Sequence, residues 1–346
     1  MEQKSVLIGM SGGVDSSVAA ALLKEQGYHV IGATMRLWTY SDSCNMKHEG
    51  CCAESAVEDA RRVCDKLGID FYVMNFKDMF KDKVVDYFVD EYIHGRTPNP
   101  CIACNKYLKF DALLKKALAM GIDYVATGHY AKIEKGEDGK YILRASEAVK
   151  KDQSYVLYNF TQEQLAHTLM PLGGYNKDWV RQKAEELGLG VAHKPDSQEI
   201  CFVEDDDYAK FITDYSGYKP KEGDILDVNG NVIGKHRGLI YYTIGQRKGI
   251  GAYGRPMFVM KIDAENNTIT LGEKGMEFSN ELTAYDVNFV SGEFPKENML
   301  ITAKVRYQAP PAAAMLCPQK DGTVKLMFPE PQRAVTPGQA VVFYDG

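Results

Sequence analysis

The sequence predicts an α/β domain with a doubly wound parallel sheet, followed by two small β-rich domains. In the first half, short apolar runs alternate with helix-like segments, an order typical of parallel strands covered by helices on both faces. From about residue 205, glycines, turn pairs and short β-rich runs replace the long helices. The 346-residue length accommodates two or three domains. We therefore expect domains at residues 1–205, 206–280 and 281–346.

The elements of the first domain follow from the spacing of its apolar residues. The predicted strands are short apolar runs, as expected for a sheet buried on both faces, and they lie at residues 6–10, 30–37, 71–75 and 124–127. The predicted helices have apolar residues three and four apart, and they lie at residues 18–24, 53–67, 80–94 and 110–120.

The elements of the second half are almost all strands. Turn pairs at Asn229-Gly230 and Asp321-Gly322 separate runs that are rich in β-branched and aromatic residues. The predicted strands lie at residues 241–244, 257–262, 268–271, 302–307, 323–328 and 340–344.

The segment at residues 6–17 carries the clearest functional signal. A strand leads through a glycine pair, one carboxylate and several hydroxyls into a helix. The N-terminus of a helix attracts anions, because its first N–H groups lack partners and the helix dipole is positive there. Gly12 and Gly13 let the backbone approach phosphates. The Ser11 hydroxyl can donate a hydrogen bond, and Asp15 can hold Mg²⁺. No lysine stands within this loop, so it differs from the familiar P-loop.

Composition limits the class of protein. A net charge of −6 argues against a chain coated in positive charge, but a local basic patch still binds nucleic acid. Candidate patches are Lys106/Lys109, Lys115/Lys116, Lys150/Lys151, Arg247/Lys248 and Lys304/Arg306. No apolar run approaches the roughly 20 residues that span a bilayer, and no signal-peptide pattern is present. We therefore expect eight reduced cysteines in a cytoplasmic protein with no membrane partner.

Two cysteine segments suggest the second part of the chemistry. Cys101 and Cys104 form a CxxC pair in a proline-stiffened segment, where we expect both thiols to be presented rather than buried in a helix. Cys201 follows in a polar segment. A structural zinc site needs about four ligands, and a redox CxxC pair is a second alternative. The nucleotide loop favours sulfur transfer, because adenylation turns a nucleobase carbonyl oxygen into a leaving group that sulfur can replace.

The motifs resemble those of one enzyme family over nearly the whole chain. In order, they are SGGVDS at 11–16, GRTPNPCIACN at 95–105, ATGHY at 126–130, KDQSY at 151–155, DSQEICF at 196–202 and TIGQRKG at 243–249. Together they are similar to those of the tRNA-specific 2-thiouridylase (MnmA/TrmU) family, whose nucleotide loop is of the PP-loop (ATP pyrophosphatase-like) type. The resemblance implies ATP and Mg²⁺ as cofactors and 2-thiouridine at the wobble position of the tRNAs for Lys, Glu and Gln as the product. It also implies a cysteine desulfurase or a sulfur-relay protein as the sulfur donor.

The resemblance also assigns roles to individual residues. Cys201 would carry a persulfide, and Cys104 would release its sulfur through a transient Cys104–Cys201 disulfide. The residues implied to hold ATP are Gly9, Met10, Ser11, Gly12, Gly13, Val14, Asp15, Ser16, Met35 and Gly128. The residues implied to contact tRNA are Asn99, Pro100, Cys101, His129, Lys151, Asp152, Gln153, Arg306, Tyr307 and Gln339.

Cys101 departs from the family pattern, because many members have Asp there. This departure leaves the general base unassigned and opens an alternative in which Cys101, Cys104 and Cys201 hold three irons of a [4Fe–4S] cluster. Two other functions also stay open. One is a PP-loop ligase that adenylates a small molecule, and the other is a non-catalytic tRNA- or metal-binding module. Cys44, Cys51 and Cys52 are expected in a mobile loop near the entrance of the active site.

Overall fold

A computed structural model describes residues 3–38, 54–196, 200–203 and 206–345. The expectation for Cys44, Cys51 and Cys52 falls outside these ranges. The chain divides into two compact units. The first takes up residues 1–84, 101–203 and 288–293, and the second takes up residues 85–100, 204–287 and 294–346. The predicted domain boundaries at 205 and 280 stay predictions.

The first unit contains a five-stranded parallel sheet with the order β3-β2-β1-β4-β7. Its strands are β1 (Ser5–Gly9), β2 (His29–Arg36), β3 (Asp70–Asn75), β4 (Tyr124–Ala126) and β7 (Thr168–Leu169). A separate antiparallel hairpin consists of β5 (Ala131–Lys135) and β6 (Tyr141–Ala145). Strands β2 and β3 are added on one side of β1, and β4 and β7 are added on the other side, so the strand order reverses between β1 and β4. Ligands of such sheets bind at this reversal, beyond the carboxyl ends of the strands.

Helices accompany this sheet, and the described helices up to residue 186 alternate with its strands. The α-helices are α1 (Val14–Glu25), α2 (Glu54–Leu67), α3 (Lys77–Phe80), α4 (Asp86–Ile93), α5 (Pro100–Ala103), α6 (Leu113–Ala119), α7 (Gln162–Ala166) and α8 (Lys177–Glu186). Residues Lys81–Val85 and Cys104–Ala112 form π-helical turns, and Val149–Lys151 and Ser154–Leu157 form 3₁₀ turns. Apolar residues of α1, α2 and α8 pack with β1 and β2 into one core, and helix α4 belongs to the second unit.

The second unit is rich in strands, as predicted. After α9 (Tyr208–Ser216), a four-stranded sheet has the order β10-β11-β8-β9 and a five-stranded sheet has the order β12-β15-β14-β13-β16. The first sheet comprises β8 (Gly223–Leu226), β9 (Val232–His236), β10 (Met257–Asp263) and β11 (Thr268–Glu273). The second comprises β12 (Phe278–Ala284), β13 (Met299–Lys304), β14 (Ala312–Pro318), β15 (Val324–Arg333) and β16 (Val342–Tyr344). The predicted fold class is therefore confirmed.

Two local predictions are wrong. Residues 241–244 were predicted as a strand, but Leu239–Tyr241 form a 3₁₀ turn that follows Gly238 at φ +130°. The CxxC segment was predicted as a loop, but Pro100 opens helix α5 and Cys104 begins a π-helical turn. Proline is well tolerated at the first helical position, since its missing N–H has no intrahelical acceptor there.

Candidate active site

The loop between β1 and α1 begins the site. Helix α1 starts at Val14 after Gly13, whose extended backbone offers no side-chain cap to the first N–H groups. Gly12 has φ +70° and lies so close to α2 that an added Cβ would fall 2.3 Å from the carbonyl oxygen of Ala56. Only glycine fits this position. The loop is therefore an uncapped helix N-terminus held against the neighbouring helix, with the first-turn N–H groups oriented to bind an anion.

Serine hydroxyls fix the conformation of the loop. The Ser16 hydroxyl accepts a hydrogen bond from the Ser11 N–H at 3.2 Å and lies 3.2 Å from the Gly13 carbonyl oxygen. The Ser17 hydroxyl donates to the same carbonyl at 2.8 Å. Ser16 and Ser17 are buried, whereas Ser11 is exposed. Two of the three hydroxyls thus shape the loop from inside, and Ser11 is the one presented to solvent.

A second loop, which follows β4, meets the start of α1. An added Cβ at Gly128 would lie 2.6 Å from the Ser16 nitrogen and 2.7 Å from the Asp15 carbonyl carbon. The two loops that flank the reversal of the sheet are therefore in direct contact, and a side chain at position 128 would separate them. Met35, another residue implied to hold ATP, lies half-buried near the end of β2. This arrangement brings Gly128 to the N-terminus of α1, where the resemblance expects ATP.

Charged side chains that are distant in the sequence converge on the loop. The Lys177 ammonium lies 2.8 Å from both carboxylate oxygens of Asp15 and 2.6 Å from Asp196 Oδ1. The buried Tyr130 hydroxyl donates to Asp15 Oδ1 at 2.7 Å. Burial and the neighbouring Asp15 carboxylate raise the pKa of Tyr130, so the phenol stays protonated and keeps donating. Asp15 is therefore held by one cation and one phenol.

Two further cations contact Asp196, and a third contacts the loop itself. Lys151 Nζ lies 2.6 Å from Asp196 Oδ2, and Arg181 Nη2 lies 3.3 Å from Asp196 Oδ1. Burial alone would raise the pKa of Asp196, but the hydrogen bonds from Lys151 and Lys177 outweigh it and hold the pKa below its usual value. Lys194 Nζ contacts the Gly12 carbonyl oxygen at 3.1 Å and Asp59 Oδ2 at 2.8 Å. We call Lys151, Lys177, Arg181 and Lys194 the cation group.

Sequence reasoning found Lys151 but missed Lys177, Arg181 and Lys194. The position of Lys177 at the start of a helix could have indicated it. Asn176 is the N-cap of α8 and accepts from the Trp179 N–H at 2.9 Å, so Lys177 lies in the first helical turn. A cation there opposes the helix dipole. Such a lysine needs a compensating anion, and Asp15 and Asp196 provide it.

The donors at the loop fit the phosphates of a nucleotide. They combine an uncapped helix start, two glycine-dependent close approaches and the cation group, which supplies the positive charge that the loop itself lacks. Across the described residues, no group of three or more His, Cys, Asp or Glu side chains is arranged to hold a metal ion. Asp15, at the start of α1, would be a protein ligand for a Mg²⁺ ion that accompanies the nucleotide.

The cysteines differ in accessibility. Cys101 is exposed on α5, Cys104 is buried at the start of the π-helical turn, and Cys201 is half-buried. The side chain of Asn105, the neighbour of Cys104, is also buried and donates from Nδ2 to the Val156 carbonyl at 3.0 Å. Its Oδ1 has no hydrogen-bond partner within the described residues. A buried amide oxygen without a partner next to a thiol is a place where a further donor would be accepted.

His129 is buried beside the same π-helical turn. Its Nδ1 lies 2.7 Å from the Thr127 hydroxyl, and its ring lies 5.8 Å from that of Phe110. Burial, followed by the positive charge of Lys109, holds the pKa of His129 well below its usual value. The imidazole is therefore neutral at physiological pH, and its contact with tRNA stays a prediction.

The Lys151-Asp152-Gln153 motif has structural contacts of its own. Asp152 Oδ1 accepts from the Ser146 N–H at 2.8 Å, and its Oδ2 accepts from the Ser154 hydroxyl at 2.6 Å. Gln153 Oε1 accepts from the Tyr130 N–H at 2.9 Å. Through Tyr130, the motif is therefore joined to Asp15. Its predicted contact with tRNA stays a prediction.

The remaining residues implied to contact tRNA lie in the second unit, and two of them make hydrogen bonds within it. Arg306 Nη2 donates to the carbonyl oxygens of Ile244 and Ala334 at 2.9 and 2.8 Å, and also to the Thr336 hydroxyl. Gln339 Nε2 donates to the Thr97 carbonyl at 2.6 Å. Tyr307 is exposed. Asn99 is half-buried and Pro100 is buried.

Family models match the chain from end to end. Residues 4–205 match the tRNA methyl transferase HUP domain, residues 209–273 match the tRNA methyl transferase PRC-barrel domain, and residues 279–346 match the aminomethyltransferase beta-barrel domain. A tRNA-specific 2-thiouridylase MnmA of Acetivibrio thermocellus is 59% identical over 100% of this chain and 97% of its own length. The chain belongs to the tRNA-specific 2-thiouridylase family. A second relative of the same name, from Clostridioides difficile, is 58% identical over 99% of this chain and 95% of its own length.

Membership of this family confirms the resemblance stated from the motifs. The order of the three matched regions also agrees with an α/β domain followed by two β-rich regions. No helix within the described residues is both long and apolar enough to cross a bilayer.

Proposed function

We propose that this chain replaces the C2 oxygen of the wobble uridine in the tRNAs for Lys, Glu and Gln by sulfur, consuming ATP. The observation that carries the proposal is the convergence of an uncapped helix start and the cation group in a chain with the paired cysteine motifs of the family. Family membership supports the substrate class.

The first step is adenylation. The uridine O2 attacks the α-phosphorus of ATP, the bond from that phosphorus to the α,β-bridging oxygen breaks, and pyrophosphate leaves while AMP stays on O2. The α1 N-terminus together with Lys177 and Lys194 would bind the pyrophosphate, because these groups supply N–H donors and ammonium charges at one place. Lys177 pairs with both Asp15 and Asp196. Asp15 would hold the Mg²⁺ ion that accompanies ATP, and Lys177 would supply an ammonium charge to the phosphates.

The second step is sulfur transfer. Cys201 would carry an outer sulfur as a persulfide delivered by a cytoplasmic cysteine desulfurase or a relay protein. The Cys104 thiolate attacks the inner sulfur of that persulfide, so hydrosulfide leaves and a Cys104–Cys201 disulfide forms. Hydrosulfide adds to C2, and AMP departs with the original oxygen. A thiol reductant then returns both cysteines to thiols, which balances the two electrons.

The burial of the cysteines supports this division of roles. Cys104 is buried and Cys201 is half-buried. An external sulfur donor therefore has more access to Cys201 than to Cys104. The alternative, in which Cys101, Cys104 and Cys201 hold an iron–sulfur cluster, stays a prediction.

Isotope transfer from a sulfur donor tests these roles. The chain is incubated with ³⁵S-cysteine and a desulfurase, and the labelled peptide is identified by mass spectrometry before and after tRNA and ATP are added. In Cys104→Ser, we expect label to accumulate on Cys201 and not reach tRNA, and in Cys201→Ser we expect neither product. Cys317→Ser, a cysteine of β14, is the matched control and should behave as the unchanged chain. Full transfer to tRNA in Cys201→Ser would contradict the proposal.

A further inference from the structure

The TIGQRKG motif at residues 243–249 forms a loop built around one glutamine side chain. Gln246 Oε1 accepts from the Thr243 N–H at 2.9 Å, while its Nε2 donates to the carbonyl oxygens of Tyr241 and Lys248 at 3.2 and 2.9 Å. One amide group therefore ties together the beginning and the end of the loop. This arrangement makes the loop a defined structure rather than a solvated turn.

Glycines and strand β10 hold the same loop in position. Gly245 and Gly249 have φ values of +82° and +75°, which glycine adopts readily. The Gly245 N–H donates to the Val259 carbonyl at 2.8 Å, and the Val259 N–H donates back to the Gln246 carbonyl at 3.0 Å. Arg306 adds a donor from outside the loop, since its Nη2 lies 2.9 Å from the Ile244 carbonyl oxygen.

All of these contacts leave two neighbouring cations directed outward. Arg247 and Lys248 are exposed, and within the described residues neither side chain makes a hydrogen bond or an ion pair. By contrast, the exposed Arg255 of the same unit lies 2.6 Å from Glu273. Two adjacent cations on a fixed loop, in a chain whose net charge is −6, create a local positive potential that lacks a protein counter-ion.

A cation–π pair lies next to this loop. The Arg237 guanidinium lies 4.0 Å from the centre of the Tyr241 ring, and the Tyr241 carbonyl is one of the acceptors of Gln246. A stacked arginine and tyrosine are typical of surfaces that bind unpaired nucleotides. The combination of fixed cations with such a surface favours RNA over an acidic protein as the partner.

We infer that the loop at residues 243–249 is a phosphate-binding element for the tRNA substrate, with Arg247 and Lys248 as the contacting cations. Gln246 and Arg306 act as positioning residues that hold the loop. This inference rests on the proposed function, because it names a further contact of the same substrate.

The salt dependence of tRNA binding tests the inference. Dissociation constants for unmodified tRNA are measured by fluorescence anisotropy at KCl concentrations from about 0.05 to about 0.5 M, without ATP. Losing two phosphate contacts in Arg247→Ala/Lys248→Ala should lower the slope of log Kd against log salt by about 1.4 to 1.8. If the two affinities converge near 1 M salt, binding at about 0.1 M weakens by about 25- to 60-fold.

Two further variants separate a phosphate contact from damage to the fold. Arg247→Lys/Lys248→Arg keeps both charges and should keep the slope, whereas Arg255→Ala should also leave the slope unchanged. An unchanged urea unfolding transition would show that the double alanine variant is folded. An unchanged slope in that variant overturns the inference, and so does an equal fall in Arg255→Ala. Weakened transfer from the sulfur donor with unchanged tRNA binding would overturn it in favour of a protein partner.

The two proposals fail in different ways. If the unchanged chain does not place sulfur in tRNA, the proposed function fails. If it does so and the double alanine variant still binds tRNA with the original salt slope, only the inference about the loop is overturned.

Discussion

Replacing Lys177 by Met tests whether the cation group binds the phosphates of ATP. The Lys177 side chain is only 12% exposed and its ammonium contacts Asp15 and Asp196 at 2.6–2.8 Å. A surface ion pair would contribute little, but this one is largely shielded from water. Methionine has a similar length and removes the charge without leaving a large cavity.

The expected loss follows from the strength of a single charged contact. A hydrogen bond to a charged group contributes about 1.5–3 kcal/mol, which corresponds to an increase of about 10- to 150-fold in the Kd for ATP–Mg. Isothermal titration calorimetry without tRNA measures this constant in the absence of turnover. Lys177→Arg keeps a cation and should recover part of the affinity.

The matched control lies on the same helix. Lys183 of α8 pairs with Glu25 at 2.9 Å, so Lys183→Met also removes one charge from α8 but leaves the loop untouched. We expect the affinity of Lys183→Met for ATP–Mg to equal that of the unchanged chain. A Lys177→Met variant that is folded by circular dichroism and binds ATP–Mg normally would refute the role given to this lysine.

Three further predictions concern pH, thiol reactivity and stability. The pKa of buried, neutral His129 is lowered in the folded state, so the unfolded chain binds an extra proton as the pH falls below about 6.5. The free energy of unfolding should therefore decrease by up to about 1.4 kcal/mol per pH unit. Urea unfolding of His129→Gln should lack this pH dependence, and an identical dependence in the variant would contradict the prediction. Burial raises the pKa of Cys64 to about 12, so iodoacetamide should label exposed Cys101 in the native chain and spare Cys64, as peptide mass spectrometry would show. Arg306→Met should lower the free energy of unfolding by roughly 2–4 kcal/mol, since three acceptors lose their donor. A loss of tRNA affinity without a change in stability would contradict this and would favour direct contact between Arg306 and tRNA.

The sequence was sufficient to predict those parts of the site that depend on neighbouring residues. The order of strand, glycine loop and helix at residues 5–25 can be inferred locally, because apolar spacing and glycine position determine it. The alternation of strands and helices likewise predicts a parallel sheet. The role of Gly128 came only through the resemblance, and its contact with Ser16 and Asp15 gives the physical reason for a glycine there.

What could not be predicted depends on contacts between distant residues. Lys177 meets Asp15 across 162 positions, and local patterns carry no information on such a pair. The prediction for Cys104 was wrong because proline was taken to keep the segment extended, whereas Pro100 begins a helix. The expected contact of Arg306 with tRNA stays a prediction, whereas its hydrogen bonds to Ile244, Ala334 and Thr336 depend on tertiary placement that the sequence does not show.

Mass spectrometry of tRNA detects the thiolation itself. Unmodified tRNA is incubated with the chain, ATP–Mg and a persulfide donor, beside a Cys201→Ser reaction, and the nucleosides of the anticodon loop are analysed. We expect one exchange of sulfur for oxygen at the wobble uridine, and we expect this exchange to be lost in Cys201→Ser. AMP release without any sulfur in the tRNA would contradict it and would indicate a different adenylated substrate.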